Sequence, residues 1–440
     1  MRRSPSRTSV LIAVLGVMGS MLVAAQASTA KPVKPPPQTS TPKNVILIIV
    51  DGLGSAHIQL GSRVNGGLFL ETPDLWDAQG TLDSSSLDGI TDSAAGGTAL
   101  AAGVETHNGW LSMVPTADGG ATIAETVLER AEDRGKATGL ISDSYITDAT
   151  PGAFAAHVTS RSDSQEISRQ MAPQGIEFLL GGGLRQGGVD PLLNDAAVTY
   201  VWSEADMDAY VASGGEGPVY GFFDSWNMVY NLDRDDEGVA GVDPTLPEMT
   251  AAALATLSKD PEGFFLMVEA GLVDWAAHAR DGASLASEMI EADQALQVAW
   301  NWAQGRSDTL IILTGDHETG GLGVSSRTDV AGLRKQTATT EYMWGLIGAG
   351  APIRSTVATY TGLSLKAGEV QTIASCGEHG ISDVLAARWK LSWNGTCTDE
   401  GEHTLVPVPL YAWGPNAGDF AGTFYDNERV GTNLLSYFAP

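Results

Sequence analysis

The chain has 440 residues, of which 43% are hydrophobic and 18% charged, so it is long and apolar enough to bury a large core. This composition excludes disorder for most of the chain. The net charge of −28 repels nucleic acid and anionic membranes at long range, and we expect no nucleic-acid-binding role.

The first 27 residues have the parts of a secretory signal peptide. Three arginines at positions 2, 3 and 7 precede an uncharged, mostly apolar stretch over 10–25, and small residues follow it. An uncleaved membrane anchor is the alternative, but the stretch is shorter than the about 20 residues that a spanning helix needs. We therefore predict a secreted or periplasmic protein with no stable membrane association after cleavage. A Pro-rich linker is predicted at 28–43.

From residue 44 onward, short apolar runs alternate with helical patterns. Buried strands are predicted at 44–53, 135–143, 263–271, 309–317 and 408–415. Helices are predicted at 121–134 and 284–304. This alternation predicts an α/β fold with a mostly parallel central sheet and helices on both faces. We expect one domain over 44–440, with insertions near 181–245 and 325–402 above the carboxyl edge of the sheet.

A run of small residues, "ITDSAAGGTALAAG", follows at 90–103 with Ser93 near its start. Core packing alone explains such a run poorly, because few of its side chains are large. A backbone that closely approaches something small and charged explains it better.

Acidic residues follow three of the predicted strands. Asp51 comes directly after "VILIIV", Glu269 after "FFLMV" and Asp316 after "LIILTG". Because the carboxyl ends of parallel strands line one crevice, we expect these acids to converge. Helix caps and turns are the alternative for any one of them. Several carboxylates together require cations in order to stay ionised.

Histidine gives a second indication of metal binding. Asp274 and His278 are four residues apart, a spacing that puts both on one face of a helix, and His317 directly follows Asp316. Mixed carboxylate and imidazole ligands suit zinc, whereas an all-oxygen set suits magnesium.

The other five of the seven histidines are less informative. We expect His57, His107 and His157 to be hydrogen-bonded structural residues. Spacing alone leaves open whether His379, in "CGEHG", or His403, in "GEHTLVPV", is a further ligand. Both cysteines, Cys376 and Cys397, lack metal-type spacing; in an exported chain we expect a disulfide between them, with two free thiols as the alternative.

In this order, the segments resemble the alkaline phosphatase family over nearly all of residues 44–425. The motifs that carry the resemblance are "VILIIVDGLG", "TDSAAGGTALAAG", "TDATPGAFAAHVTSR", "PTLPEMTAAALATLS", "GFFLMVEAGLVDWAAHA", "LTGDHETGG" and "EHTLVPVPLYAWGP". The resemblance implies the family's α/β fold and a phosphomonoesterase of broad specificity that works at alkaline pH. Homodimers are common in the family.

The resemblance also implies roles for matching residues. Ser93 matches the nucleophile that becomes phosphorylated, and Arg161 matches the arginine that binds the phosphate. The metal ligands match as follows: Asp51, Asp316 and His317 for one zinc ion; Asp274, His278 and His403 for the other; and Asp51, Thr150 and Glu269 for a third ion, usually magnesium. The motif around His403 matches the family, so the resemblance favours His403 over His379 as the further metal ligand.

At two positions the family pattern is mixed. One branch of the family has Asp at the position of Asp148 and Lys at the position of Trp275. Other branches have His at the first position and Trp or His at the second. This chain combines the Asp of one branch with the Trp of another. The mixture leaves the identity of the third ion open. We expect Asp148 to contact the groups that bind phosphate without touching phosphate itself. We expect Trp275 to lie near the substrate and Asp92 to orient Arg161.

The implied residues form a chemically sufficient set. A serine hydroxyl needs a base or a metal ion to become nucleophilic, and Arg161 offers a two-pronged donor set to phosphoryl oxygens. With three divalent ions the site has excess positive charge, which favours phosphate monoester dianions. The alternatives are a diesterase or sulfatase of the same superfamily, and a non-catalytic protein that binds phosphate or metal.

Overall fold

A computed structural model describes residues 41–185 and 187–439. The predicted signal peptide, 1–27, and most of the predicted linker therefore lie outside the described residues. Within the described part of the chain, no helix is both long and apolar enough to cross a membrane.

Ten of the described strands form one central sheet, and four others form two small sheets. In chain order the strands are β1 (Asn44–Val50), β2 (Ala78–Asp83), β3 (Met113–Pro115), β4 (Ala121–Ile123), β5 (Ala137–Tyr145), β6 (Phe178–Gly182), β7 (Thr199–Val201), β8 (Val219–Phe223), β9 (Phe264–Ala270), β10 (Thr309–Thr314), β11 (Glu318–Thr319), β12 (His403–Thr404), β13 (Val408–Trp413) and β14 (Gly422–Asp426).

The central sheet has the order β14-β2-β13-β10-β1-β9-β5-β6-β8-β7. Its strands pair in parallel except for β13, which is antiparallel to β10 and β2. The predicted mostly parallel α/β sheet is therefore confirmed. All five predicted strands are present, with ends shifted by up to three residues.

The helices alternate with these strands. In chain order they are α1 (Ser55–Asn65), α2 (Ser93–Ala102), α3 (Val127–Glu132), α4 (Ala149–Ala155), α5 (Ser164–Met171), α6 (Glu204–Ala212), α7 (Arg234–Glu237), α8 (Leu246–Leu257), α9 (Leu272–His278), α10 (Gly282–Ala303), α11 (Val330–Leu333), α12 (Thr340–Gly348), α13 (Ile353–Thr361), α14 (Ala367–Cys376), α15 (Glu378–Trp389) and α16 (Glu428–Tyr437). Short 3₁₀ helices lie at Phe69–Glu71, Asp190–Leu193 and Ala417–Phe420.

Both faces of the sheet are buried under helices. Successive side chains of a strand point to opposite faces, so β1 contributes to two cores. Ile46 belongs to one core together with Leu285 of α10. Leu47 belongs to the other, together with Leu100 of α2. Every residue of β1 is buried, as its uninterrupted apolar sequence predicts.

The predicted helix at 121–134 is wrong in its first half. Residues 121–123 form β4, which pairs with β3, and the helix α3 starts only at Val127. Thr126 and Glu129 form a capping box, in which each side chain accepts the backbone N–H of the other residue. This cap begins the helix after the strand and overrides the continuous pattern that the sequence suggested.

The two predicted insertions differ in structure. Part of the 181–245 region belongs to the central sheet instead of lying above its carboxyl edge. β8 pairs with β6 and β7 pairs with β8, so both strands extend the sheet. Its apolar "VYGFF" segment is fully buried, which explains why it joins the sheet. The 325–402 region contains helices α11 to α15, and a disulfide joins Cys376 to Cys397 there, with 5.3 Å between their Cα atoms.

Candidate active site

Three strand ends bring acidic side chains together at the carboxyl edge of the sheet. β1 lies between β9 and β10, so the residues at the ends of these strands are neighbours. Asp51 directly follows β1, Glu269 lies near the end of β9, and Asp316 follows β10. All three side chains are buried.

Ser93 is the first residue of helix α2, beside this acidic edge. The Asp92 carboxylate caps the helix by accepting the N–H of Ala95 at 3.0 Å. The free N–H groups and positive dipole end of the helix therefore lie next to Ser93, which favours an anion there. A Cβ at Gly96 would lie only 3.0 Å from the Cβ of Asp316. The small residues of α2 thus let the helix approach Asp316 closely.

Asp51, Asp316 and His317 form a first cluster around Ser93. The Ser93 Oγ lies 3.1 Å from His317 Nε2. The same Nε2 lies 3.5 Å from Asp51 Oδ1 and 3.3 Å from Asp316 Oδ2. Both of these carboxylate oxygens are buried and have no hydrogen-bond partner within the described part of the chain. Potential ligand atoms of all three residues lie within 4.8 Å of one another.

Thr319 sets the orientation of the His317 ring. Its hydroxyl donates to Asp274 Oδ1, so it can only accept from His317 Nδ1, which lies 3.2 Å away. His317 Nε2 therefore presents a lone pair to the same space as the two unpaired carboxylate oxygens. The Ser93 hydroxyl can donate to His317 Nε2, but the two carboxylate oxygens have no donor among the described residues, which fits a bound cation.

Asp274, His278 and His403 form a second cluster. The Nδ1 atoms of the two histidines donate to backbone carbonyls, His278 to Gly401 at 2.5 Å and His403 to Thr91 at 2.8 Å. Their Nε2 atoms consequently face each other at 3.1 Å. His278 Nε2 also lies 3.3 Å from Asp274 Oδ2.

Since both Nε2 atoms are acceptors, this close approach requires a proton or a metal cation between them. Although burial lowers the pKa of His278, the charge of Asp274 raises it to about 9. A metal cation takes the place of this proton when it binds. One carboxylate and two imidazoles are a donor set that suits zinc.

A third group consists of oxygen donors only. Thr150 Oγ1, in α4, lies 3.5 Å from Asp51 Oδ2. Glu269 accepts hydrogen bonds from Ser142 and, at 3.3 Å, from Ser144 of β5. Burial, followed by the charge of Asp148, raises the pKa of Glu269 well above its usual range. An all-oxygen set of this kind suits magnesium.

Mutual repulsion among the acids is strong. Burial, then the charges of Asp316 and Asp274, raise the pKa of Asp51 well above its ordinary value. Burial and Asp274 raise the pKa of Asp316 to about 7. Cations at the site would relieve this repulsion and keep the carboxylates ionised.

Two acids hold the Arg161 guanidinium. Its Nη1 lies 3.3 Å from Asp92 Oδ2, and its Nη2 lies 3.0 Å from Asp148 Oδ1. Burial lowers the pKa of Arg161, but these two carboxylates raise it above the ordinary value. Asp92 thus contacts both α2 and Arg161. Arg161, Ser93 and Asp51 line one cavity of about 520 Å³.

Trp275 was expected near the substrate from the sequence, whereas other residues at this site carried no signal of their own. Trp275 lines the cavity and stands edge-on to Tyr145, with ring centroids 6.5 Å apart. Nothing in the sequence singles out Tyr145, and Thr319 is marked only by its place within the "GDHETGG" motif. Tyr230 and Glu341, on the cavity wall, lie in segments without any motif.

The remaining histidines lie outside the two clusters. His57 lies 3.6 Å from Glu318, and His157 lies 2.8 Å from Glu129. His107 pairs with an acid, Asp88, at 3.0 Å. His379 lines the outer part of the cavity, whereas His403 is among the ligand atoms around Asp274.

Comparison with known proteins identifies the family. The family model described as alkaline phosphatase matches residues 42–187 and 170–438. Alkaline phosphatase 4 of Bacillus subtilis (strain 168) is 30% identical to the chain over 419 residues, which cover 88% of this chain and 87% of that protein. The chain belongs to the alkaline phosphatase family. Alkaline phosphatase of Escherichia coli (strain K12) is also 30% identical, over 68% of this chain and 75% of its own length.

Solved alkaline phosphatases share the fold. The crystal structure of Thermus thermophilus alkaline phosphatase matches with a TM-score of 0.78 and 25% identity, over 94% of this chain and 95% of that one. Alkaline phosphatase from the Antarctic bacterium TAB5 matches with a TM-score of 0.64 and 25% identity, over 91% and 99% of the two chains. As a member of this family the protein is an enzyme, a phosphoric monoester hydrolase.

Replacing Thr319 with Val should weaken metal binding. The change keeps the side-chain shape but removes the hydroxyl that joins His317 to Asp274, so both ligands lose their orientation. We expect zinc affinity to fall by roughly 10- to 100-fold, measured by competition with a chromogenic chelator. Thr256→Val is the matched control, because the buried Thr256 hydroxyl has no hydrogen-bond partner. Equal affinities of the two variants would contradict the role of Thr319.

Proposed function

We propose that the chain is a secreted, metal-dependent phosphomonoesterase that works at alkaline pH through a phosphoserine on Ser93. Zinc would bind in the two clusters that contain histidine, and magnesium in the all-oxygen group. One observation carries this proposal: Ser93 Oγ lies 3.1 Å from His317 Nε2, beside the two unpaired carboxylate oxygens of Asp51 and Asp316, and shares a cavity with Arg161.

The chain's own residues bind and orient the phosphate. The planar guanidinium of Arg161 offers two parallel N–H donors to two phosphoryl oxygens, while Asp92 and Asp148 hold its orientation. The N-terminus of α2 adds a favourable potential for the anion beside Ser93. Metal ions, when bound, would supply Lewis acidity that lowers the pKa of the serine hydroxyl and stabilises the departing oxygen.

The proposed reaction has two displacements at phosphorus. Ser93 Oγ loses its proton to solvent and forms a bond to phosphorus, while the bond from phosphorus to the alcohol oxygen breaks. The alcohol leaves with that electron pair and takes a proton from water. A water molecule then attacks the phosphoserine, the bond from phosphorus to Oγ breaks, and Ser93 regains a proton as inorganic phosphate leaves.

The combination of Asp148 with Trp275 affects the identity of the third ion more than any other part of the proposal. Asp148 lies close enough to Glu269 to raise its pKa, and Trp275 adds no charge to the site. An additional acid near an all-oxygen group favours a hard divalent cation, so we propose magnesium. In support, a variant of TAB5 alkaline phosphatase, 25% identical to this chain with a TM-score of 0.64, has magnesium bound in its M3 site.

Replacing Ser93 with Ala should remove the nucleophile without removing the metal ligands. We expect turnover of nitrophenyl phosphate to fall roughly 10³-fold or more, and acid-quenched labelling with radioactive phosphate to disappear. Ser355→Ala on the exposed face of α13 is the control and should keep full activity. Chelator treatment of the unsubstituted enzyme should abolish turnover.

Substrate choice separates the alternatives in the same assay. Slower turnover of bis-nitrophenyl phosphate and nitrophenyl sulfate than of the monoester is expected. Fast, chelator-sensitive monoester turnover by Ser93→Ala would overturn the phosphoserine mechanism, and faster turnover of the diester or sulfate would overturn the monoester assignment.

Metal titration tests the third ion. Metal-free enzyme reloaded with two equivalents of zinc should gain further activity from one equivalent of magnesium, with the bound metal counted by atomic absorption. Glu269→Gln should keep two zinc ions and lose the magnesium stimulation, because it removes a charged ligand of the third group only. A tightly bound third zinc or cobalt ion in place of magnesium would contradict the assignment.

Export follows from the proposed signal peptide and is supported by the Cys376–Cys397 disulfide, which persists in oxidising compartments. Expression of the full chain in a secreting bacterial host should yield protein outside the cytoplasm whose N-terminal residue, determined by Edman sequencing, lies close to residue 28. Recovery of the uncleaved chain in the membrane fraction would instead support the anchor.

A further inference from the structure

The cavity that contains Ser93 continues outward to a wall of different chemistry. Its outer lining comes from α9, α12 and α15 and from two loops, and consists of Tyr230, Trp275, Glu341, Glu378, His379 and Glu400. We refer to these six residues as the outer wall. At the inner end, Asp51 Oδ1 lines the same cavity, is buried and has no hydrogen-bond partner among the described residues, which points to a bound cation at that end.

Three glutamates make the outer wall acidic. Glu341 lies in the first turn of α12, Glu378 begins α15, and Glu400 lies in the loop that follows α15. Within residues 41–185 and 187–439, none of the three forms a salt bridge. Burial, then Glu341, Asp281 and Glu400, raise the pKa of Glu378 to about 7, so its carboxyl is ionised at alkaline pH.

Basic groups near the wall do not cancel this charge. The Arg280 guanidinium is engaged by Asp383. Burial and the charge of Arg280 lower the pKa of His379, so its ring is neutral at alkaline pH. The wall therefore has a net negative charge in the working range of the enzyme.

Two aromatic side chains complete the wall. Trp275 is half-buried, and Tyr230 lines the cavity with a largely buried ring. Burial and the nearby Glu341 raise the pKa of Tyr230 well above its usual range, so its hydroxyl stays neutral. Neutral aromatic rings beside carboxylates are the environment that proteins use to bind ammonium groups.

The cavity thus has two ends of opposite character. The inner end, with Arg161 and the cation sites, takes a phosphate dianion, while the outer end presents carboxylates and aromatic rings. Its volume of about 520 Å³ lies within the range of small-molecule sites. We propose that the outer wall selects phosphate monoesters whose alcohol carries a positively charged amine or quaternary ammonium group. This inference rests on the proposed phosphomonoesterase function.

A pair of isosteric substrates tests the proposal. Phosphocholine and 3,3-dimethylbutyl phosphate have the same shape and differ only in that a charged nitrogen replaces a carbon atom. We expect kcat/KM at low ionic strength to be about tenfold higher for phosphocholine, because the partly exposed carboxylates and the rings each contribute modestly. The preference should shrink in 0.5 M salt, since exposed charges are screened.

The glutamates are tested by a triple variant, Glu341→Gln, Glu378→Gln and Glu400→Gln. The ratio of its kcat/KM values for phosphocholine and 3,3-dimethylbutyl phosphate should fall to within about twofold. Because this ratio compares two substrates of the same enzyme sample, a partial loss of folded or metal-loaded enzyme cancels. Glu262→Gln is the matched control: Glu262 is exposed and precedes β9 at the amino end of the sheet, away from the cavity, so the preference should remain.

The outcomes distinguish the two levels of the proposal. Equal hydrolysis of both substrates by the unsubstituted enzyme overturns the selectivity and leaves the phosphomonoesterase function intact. A preference that persists in the triple variant overturns the role of the glutamates. Hydrolysis of neither substrate, nor of nitrophenyl phosphate, overturns the proposed function itself and with it the inference.

Discussion

Repulsion between buried carboxylates is the constraint on which the site depends. The central parallel strands end together and place Asp51, Glu269 and Asp316 side by side, where burial and mutual charge raise their pKa values. A fold that buries these acids is stable with all of them ionised only when cations are bound. In our proposal, the need for metal ions therefore follows from the arrangement of the sheet, and the histidines complete donor sets that the strand ends begin.

Neighbouring groups orient the histidines of the two clusters. Thr319 and two backbone carbonyls occupy the Nδ1 atoms of the histidines, which leaves each Nε2 free to face the carboxylates. Gly52 has a φ of +71°, and a Cβ there would lie 2.8 Å from Asp274 Oδ1. The turn after β1 thus passes directly beside a ligand, which only glycine allows without strain. Asp92 has a similar double role, because one carboxylate both caps α2 and contacts Arg161.

The polarity of the cavity follows from the same organisation. Its inner end is built on strand ends and helix N-termini, which in our proposal bring cations and donors to the phosphate. The outer wall belongs largely to the 325–402 region, whose helices are not part of the sheet and whose acidic residues do not serve the cation sites. In our proposal, phosphate chemistry therefore depends on the core of the fold, and the choice of alcohol depends on the inserted helices.

The sequence alone determined the buried strands, the acids that follow them, the position of Ser93 at the start of a small-residue run, and the family. Local patterns and the order of the motifs carry this information. Only the tertiary structure decided that residues 121–123 pair as a strand, that β7 and β8 extend the sheet, that β13 is antiparallel, and that Glu341, Glu378 and Glu400 share a cavity with Ser93. These features depend on contacts between segments far apart in the chain, and the residues involved have no local pattern that distinguishes them from a solvated surface.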